Sequence, residues 1–277
     1  MEYYINTTII CLGWTFLKDQ WISEVEPIKR KDVWEQLNRQ RVFSLKDLIA
    51  LEYEKDAAYK VLQGLVAQGI VRKIRNGLYA TVNVETGEVN ASVLQIACGV
   101  HDEAFLSHQS ALVARGLMDW VDCRVFYGAP TKVKTFSFEG WEYVCIPSGL
   151  RQGVEIMKVS EADEPGLQVT TLERTLAESL RELSWVGGVA AMAQVLKLVE
   201  QVDEDMLLFF LDYYNIQMLY QKAGYLLGSE KERLGLSDGF FEHCKSNMGS
   251  SVRYLNQAAR EDGVFVKEWQ LVVPSMF

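Results

Sequence analysis

The chain has 277 residues, 49% hydrophobic and 23% charged, with a formal net charge of -9 at neutral pH. That length suits two domains, and that apolar share supports a sizeable core; with five prolines and no low-complexity tract, long disorder is not expected. The five cysteines form no CxxC pair and their count is odd, which fits reduced thiols in the cytoplasm better than a disulfide framework, while His101, His108 and His243 lack zinc-ligand spacing.

The opening stretch, Met1 to Gln20, is apolar but has no basic leader, and its hydrophobic run breaks at Lys18 and Asp19. Neither a signal peptide nor a membrane span is expected there; it reads as a strand or helix packed on the body. Residues 1–30 are therefore set aside as an extension.

"KRKDVWEQLNRQ" spaces Val33 and Leu37 four apart and predicts a short amphipathic helix. In "VFSLKDLIAL", Ser44 is placed to cap a second helix with Asp47 at its third position, and Leu45, Leu48 and Ile49 form its apolar stripe. After the acidic break "EYEKD", a third helix, "DAAYKVLQGLVAQG", turns Ala58, Leu62, Leu65 and Val66 inward and stops at Gly69. Two β-rich runs, "IVRKI" and "LYATV", are joined through Arg75, Asn76 and Gly77, and Asn-Gly suits a tight hairpin turn. Strand alternation puts Ile70, Arg72 and Ile74 on one side and Val71, Lys73 and Arg75 on the other. All three basic residues can face outward only if a bulge or twist interrupts the strand.

Charge is uneven along the chain. Between Ile28 and Ala80 there are eleven Lys/Arg and six Asp/Glu, a balance of +5 that leaves -14 for the rest. Three helices followed by a basic hairpin is the order of a winged helix-turn-helix, whose third helix enters the major groove while the hairpin lies along the backbone or minor groove. The candidate nucleic-acid-binding residues are Lys55, Tyr59, Lys60 and Gln63 on the helix and Arg72, Lys73, Arg75 and Asn76 on the hairpin. Gln63 can pair with an adenine edge, and the basic side chains suit phosphates. Winged helices also dock proteins, and a basic hairpin is sometimes only a solvated edge; the charge placement favours DNA.

Beyond the turn-rich "NVETGEV" the pattern changes. "SVLQIACGV" and "SHQSALVARGL" read as helices, the second capped by Ser107. "CRVFYG", "KVKTFSF", "EYVCIP" and "VEIMKV" read as strands, and "LQVTT" leads into the helix that follows. "LERTLAESLREL", "GGVAAMAQVLKLVEQV" and "DEDMLLFFLDYYNIQMLYQKAGYLL" read as helices. The expected fold is α/β (α+β): an N-terminal winged helix-turn-helix over 31–85, then a mixed α/β domain over 86–277 with a central sheet and C-terminal helices.

No enzyme site is expected. Ser107 and His108 are neighbours on a helix and do not form a relay by adjacency alone. Glu155 and Lys158 fall on opposite strand faces, and Arg174 and Glu178 read as a helix-face ion pair. Gly187-Gly188 lacks the lysine of a phosphate loop. No cofactor or metal is expected.

"FSLKDL" followed by "YKVLQGLVAQGIVRKIRNGLYA", then "AFLSHQSALVARGL", "TTLERTLAESL", "AGYLL" and "EWQLVVP" occur in an order and spacing that resemble the AbiEi-type antitoxins of bacterial type IV toxin–antitoxin systems. The resemblance spans about Lys31 to Pro274. It implies a winged helix that binds an inverted repeat in double-stranded operator DNA, two protomers to a site, and represses its own operon. It also implies a C-terminal domain that counteracts a nucleotidyltransferase-like toxin without requiring a stable complex. The family's hairpin often carries a longer basic run; here Asn76 precedes Gly77, which suits the turn and removes one charge. Two other readings remain: a protein-docking regulator without DNA binding, and a divergent nuclease-like enzyme on the central strands.

Overall fold

The computed structural model describes residues 27–51, 54–160 and 166–275. The expectation for Met1 to Gln20, and the Glu52–Tyr53 part of the acidic break, lie outside the described residues. The chain divides into two compact units, Met1–Ser92 and Val93–Phe277, each mixing helices with strands.

In the first unit, α1 (Pro27–Gln40) opens on proline, which suits a first helical turn because its missing N–H has no partner there. It ends at Arg41, whose left-handed φ of 63° redirects the chain into β1 (Val42–Ser44). Helix α2 (Leu45–Ala50) begins with a full capping box: Lys46 N donates to Ser44 Oγ at 3.2 Å, and Ser44 N donates to Asp47 Oδ2 at 2.6 Å. Helix α3 (Lys55–Ala67) buries Ala58, Leu62 and Leu65 at helical spacing. Strands β2 (Val71–Arg75) and β3 (Leu78–Thr81) follow, and the three strands form one antiparallel sheet in the order β1-β3-β2. Leu37, Phe43, Leu48, Leu62, Leu65 and Val71 share the core, with Phe43 stacked on its cross-strand partner Tyr79.

Two residues expected inside are exposed: Ile49 and Val66, each at 38%. Each follows the last buried residue of its stripe by one position, and that 100° step carries it onto the outer face. The unit also extends past the expected 85/86 boundary. Val82 bridges Val89, Asn90 N donates to Thr81 O at 2.9 Å, and Asn90 Nδ2 donates to Asn38 Oδ1 at 3.1 Å. These bonds fold the 83–90 turn back onto the first unit.

In the second unit, α4 (Val93–Cys98), β4 (Phe105–Leu106) and α5 (His108–Ala114) precede β5 (Arg124–Ala129), β6 (Phe136–Phe138), β7 (Trp141–Pro147), β8 (Val154–Met157) and β9 (Leu167–Thr170). The six strands make a mixed sheet in the order β6-β7-β5-β4-β9-β8. Helices α6 (Leu172–Arg181), α7 (Gly188–Leu198), α8 (Glu204–Tyr214), α9 (Gln217–Gly228), α10 (Lys231–Leu234) and α11 (Asp238–Asn247) follow. The core here runs through Leu112, Leu176, Met192, Phe210, Leu219 and Phe240.

The single helix expected over 203–227 is two. Asn215 takes φ 47°, and its N–H caps Leu211 O at 2.9 Å; asparagine enters that region more cheaply than most residues. The helical end also carries a small sheet the hydrophobic pattern did not announce. Strand β12 (Leu271–Pro274) lies between β10 (Arg253–Tyr254) and β11 (Gly263–Val266), with the short helix α12 (Ala258–Glu261) connecting the outer two. Among the described residues, no helix is long and apolar enough to cross a membrane.

Candidate nucleic-acid interface

The buried stripe of α3 fixes what its other side presents. Lys55, Tyr59, Lys60 and Gln63 are all exposed, Tyr59 at 52%. Together with Val66 they span an arc of about 140° at 100° per residue. The arc thus holds two ammonium groups, one amide, one phenol and the branched apolar Val66, and it also holds the exposed Asp56 carboxylate and Ala67. Val66 is the member that periodicity assigned to the core. Its exposure adds an apolar contact of the kind that meets a thymine methyl.

The hairpin keeps a regular register through Arg72 and Lys73 and shifts it just after them. Lys73 pairs with Tyr79, and the next pair is Arg75 with Leu78, so Ile74 is the extra residue on β2. Val71 and Ile74 are both buried, at 2% and 7%, while Arg72 and Lys73 between them are both exposed. Arg75 is half-buried and Asn76 is exposed. Of the turn pair, only Gly77 is left-handed, at φ 80°, whereas the type I′ turn expected of Asn-Gly needs both.

The eight predicted residues are therefore not equivalent. Lys55, Tyr59, Lys60, Gln63, Lys73 and Asn76 present their side chains to solvent. Arg72 is exposed but engaged: its Nη2 donates to Gly87 O at 2.7 Å. Arg75 is partly withdrawn. The acceptor in the 83–90 turn was not foreseen, because a backbone carbonyl leaves no mark in side-chain chemistry.

The second unit holds a buried polar cluster around α5 and α6. His108 begins α5 with φ 47°, and Ser107 makes no side-chain cap to the helix. Instead Ser107 Oγ lies 3.1 Å from His108 Nδ1, and Glu178 Oε2 lies 3.9 Å from the same nitrogen. A nucleophile relay needs the serine and the carboxylate on opposite ring nitrogens, so this arrangement is not one. Burial pulls the His108 imidazole down to about 4, with the Glu178 carboxylate acting against that shift. Arg174, expected on a helix face, is fully buried. Its Nε donates to Glu178 Oε1 at 2.8 Å, its Nη1 donates to Leu150 O and Gln152 O at 2.9 Å each, and its guanidinium lies over the Phe105 ring. Tyr214 Oη donates to the same Glu178 oxygen at 2.6 Å, and burial raises its phenol pKa.

Glu155 pairs with Arg115. No group of three or more His, Cys, Asp or Glu among the described residues could hold a metal ion.

No family model and no curated protein matches the chain. Among solved structures, it is similar to the crystal structure of the RV2827C protein from Mycobacterium tuberculosis. The TM-score is 0.58 at 17% identity, over 90% of this chain and 92% of that one. Two mixed units in this order are thus a fold shared with a solved protein of nearly matching extent. At that identity the likeness speaks to fold alone.

Proposed function

We propose that the first unit is a winged helix-turn-helix that binds double-stranded DNA, with α3 in the major groove and the β2–β3 hairpin on the backbone. The observation that carries this is the outward arc of α3. It places a base-reading amide, Gln63, on one exposed arc with phosphate-seeking lysines 55 and 60, where the single carboxylate is Asp56, on a helix whose other side is anchored in the core. The element order and the β1-β3-β2 sheet support the same reading.

The role that goes with it is autorepression by an antitoxin. The winged helix occupies an inverted repeat upstream of its own operon, two protomers to a site, and the second unit counteracts a nucleotidyltransferase-like toxin. This half rests on the sequence resemblance, not on the site's geometry. The acidic remainder of the chain repels phosphates, which disfavours indiscriminate coating of DNA and makes binding orientation-dependent.

The test is fluorescence anisotropy of the full chain against a labelled duplex from upstream of its own reading frame and against a scrambled duplex, each over a salt series. Tighter binding to the upstream duplex supports the reading; equal and weak binding to both removes it. Co-expression with the neighbouring gene tests the antitoxin half: growth arrest by the neighbour that this chain does not relieve removes it.

A protein-docking role is the second reading, favoured by Tyr59 and Val66 standing exposed on one helix face. A stable complex with the neighbouring gene product, with no duplex bound, would select it.

A further inference from the structure

The segment after the hairpin is a built turn. Asn83 N donates to Glu88 O and Gly87 N to Asn83 O, both at 2.8 Å. Asn83 Oδ1 accepts from Glu85 N at 2.9 Å and Thr86 N at 3.3 Å. Gly87 takes φ 72°, and a Cβ there would meet nothing within 4 Å. The turn therefore depends on glycine for its backbone conformation, not for space. Arg72 reaches this turn from β2, fifteen residues earlier, and donates to the Gly87 carbonyl. Its neighbour Lys73 is exposed and enters no ion pair among the described residues.

We infer that Arg72 is a positioning residue: it clamps the hairpin to the Asn83–Glu88 turn and leaves Lys73 as the hairpin's phosphate contact. The clamp stands on the geometry of the free protein. The Lys73 half rests on the DNA-binding reading above. A planar guanidinium holds a fixed carbonyl in a defined direction, while a lysine ammonium on a flexible stem suits a phosphate reached through solvent. Arg72 and Lys73 pair in regular register with Ala80 and Tyr79, so they leave opposite faces of an edge strand, and both are exposed.

The experiment uses the full chain and three variants: Arg72→Gln, Gly87→Ala and Lys73→Gln. Amide hydrogen exchange without DNA reads the clamp. Exchange across residues 71–90 should quicken in Arg72→Gln and Gly87→Ala and stay unchanged in Lys73→Gln. Anisotropy with the upstream duplex reads the contact. Lys73→Gln should lower the slope of log affinity against log salt by about 0.9, the value for one lost phosphate contact. Arg72→Gln and Gly87→Ala should each weaken binding about tenfold at every salt concentration with the slope kept, as loss of preorganisation does.

Unchanged exchange in Arg72→Gln overturns the clamp whether or not DNA binds. A slope lowered by Arg72→Gln together with wild-type affinity in Gly87→Ala makes Arg72 itself the phosphate contact and overturns the assignment. A wild-type chain that binds no duplex, with exchange quickened as expected, keeps the clamp and removes the Lys73 contact together with the DNA reading.

Discussion

Arg174 and Glu178 stand one helical turn apart on α6, joined at 2.8 Å, with side-chain exposures of 0% and 7%. An ion pair at that depth is costly to form and costlier to break. Replacing Arg174 by methionine leaves Glu178 buried without its cation and strips the donor from Leu150 O and Gln152 O. The expected loss is about 3–5 kcal/mol, read from urea denaturation of the full chain. The double variant Arg174→Met with Glu178→Leu should lose less than the single one. A single variant as stable as the parent would contradict the pair's role in the core.

His108 makes the second unit acid-sensitive. Its folded-state pKa, about 4, lies below the value near 6.5 expected for an unfolded chain. As pH falls through that window the unfolded chain takes up a proton that the folded one refuses. Stability is therefore kept above about pH 6.5 and lost progressively towards pH 4, by about 3 kcal/mol when the window is crossed. His108→Asn keeps a residue that accepts the left-handed backbone and removes the titration. Its stability profile should be flatter between pH 6.5 and 4 than that of the parent; equal slopes would refute the assignment.

On the outward face of α3, charge and base reading should separate. Lys60→Ala should lower the salt slope by about 0.9 and weaken all duplexes alike. Gln63→Ala should leave the slope in place and lose about 1–3 kcal/mol of discrimination at one base pair of the preferred site. Competition with single-base variants of that site distinguishes the two.

The capping box at Ser44 is a local test of the first unit. Asp47 accepts from both the backbone and the hydroxyl of Ser44, at 2.6 and 2.8 Å. Ser44→Ala should cost about 1 kcal/mol. Asp47→Asn should cost less, because an amide oxygen still accepts from the Ser44 backbone.

Much of this architecture could be read along the chain wherever a side chain's chemistry matches its surroundings. The Ser44 cap, the stripe of Ala58, Leu62 and Leu65, and the four runs leading to β5 through β8 follow from spacing alone, whereas β9 reads only as the lead into α6. What escaped depends on backbone or on depth. The break at Asn215 is a single residue's φ. The register shift at Ile74 is a backbone irregularity that comes just after the exposed Arg72 and Lys73. Arg174 looked like a surface residue because a helix wheel cannot show that Leu150, Gln152 and Phe105 close over it. Of the candidate interface, the helix residues were legible, while the division of labour between Arg72 and Lys73 was not, since its deciding atom is the carbonyl of Gly87.

The Asn90 staple has a consequence for synthesis. It joins Asn38 and Thr81 to a residue that follows Asn38 by 52 positions. Closing so long a loop carries its entropic cost before the reward arrives, and it must wait for the last partner. A chain emerging from the ribosome can wind α1 and α3 early, yet it cannot seal its first unit until Asn90 has cleared the exit tunnel. Truncations ending at 85 would lack that seal, whereas those ending at 92 would retain it.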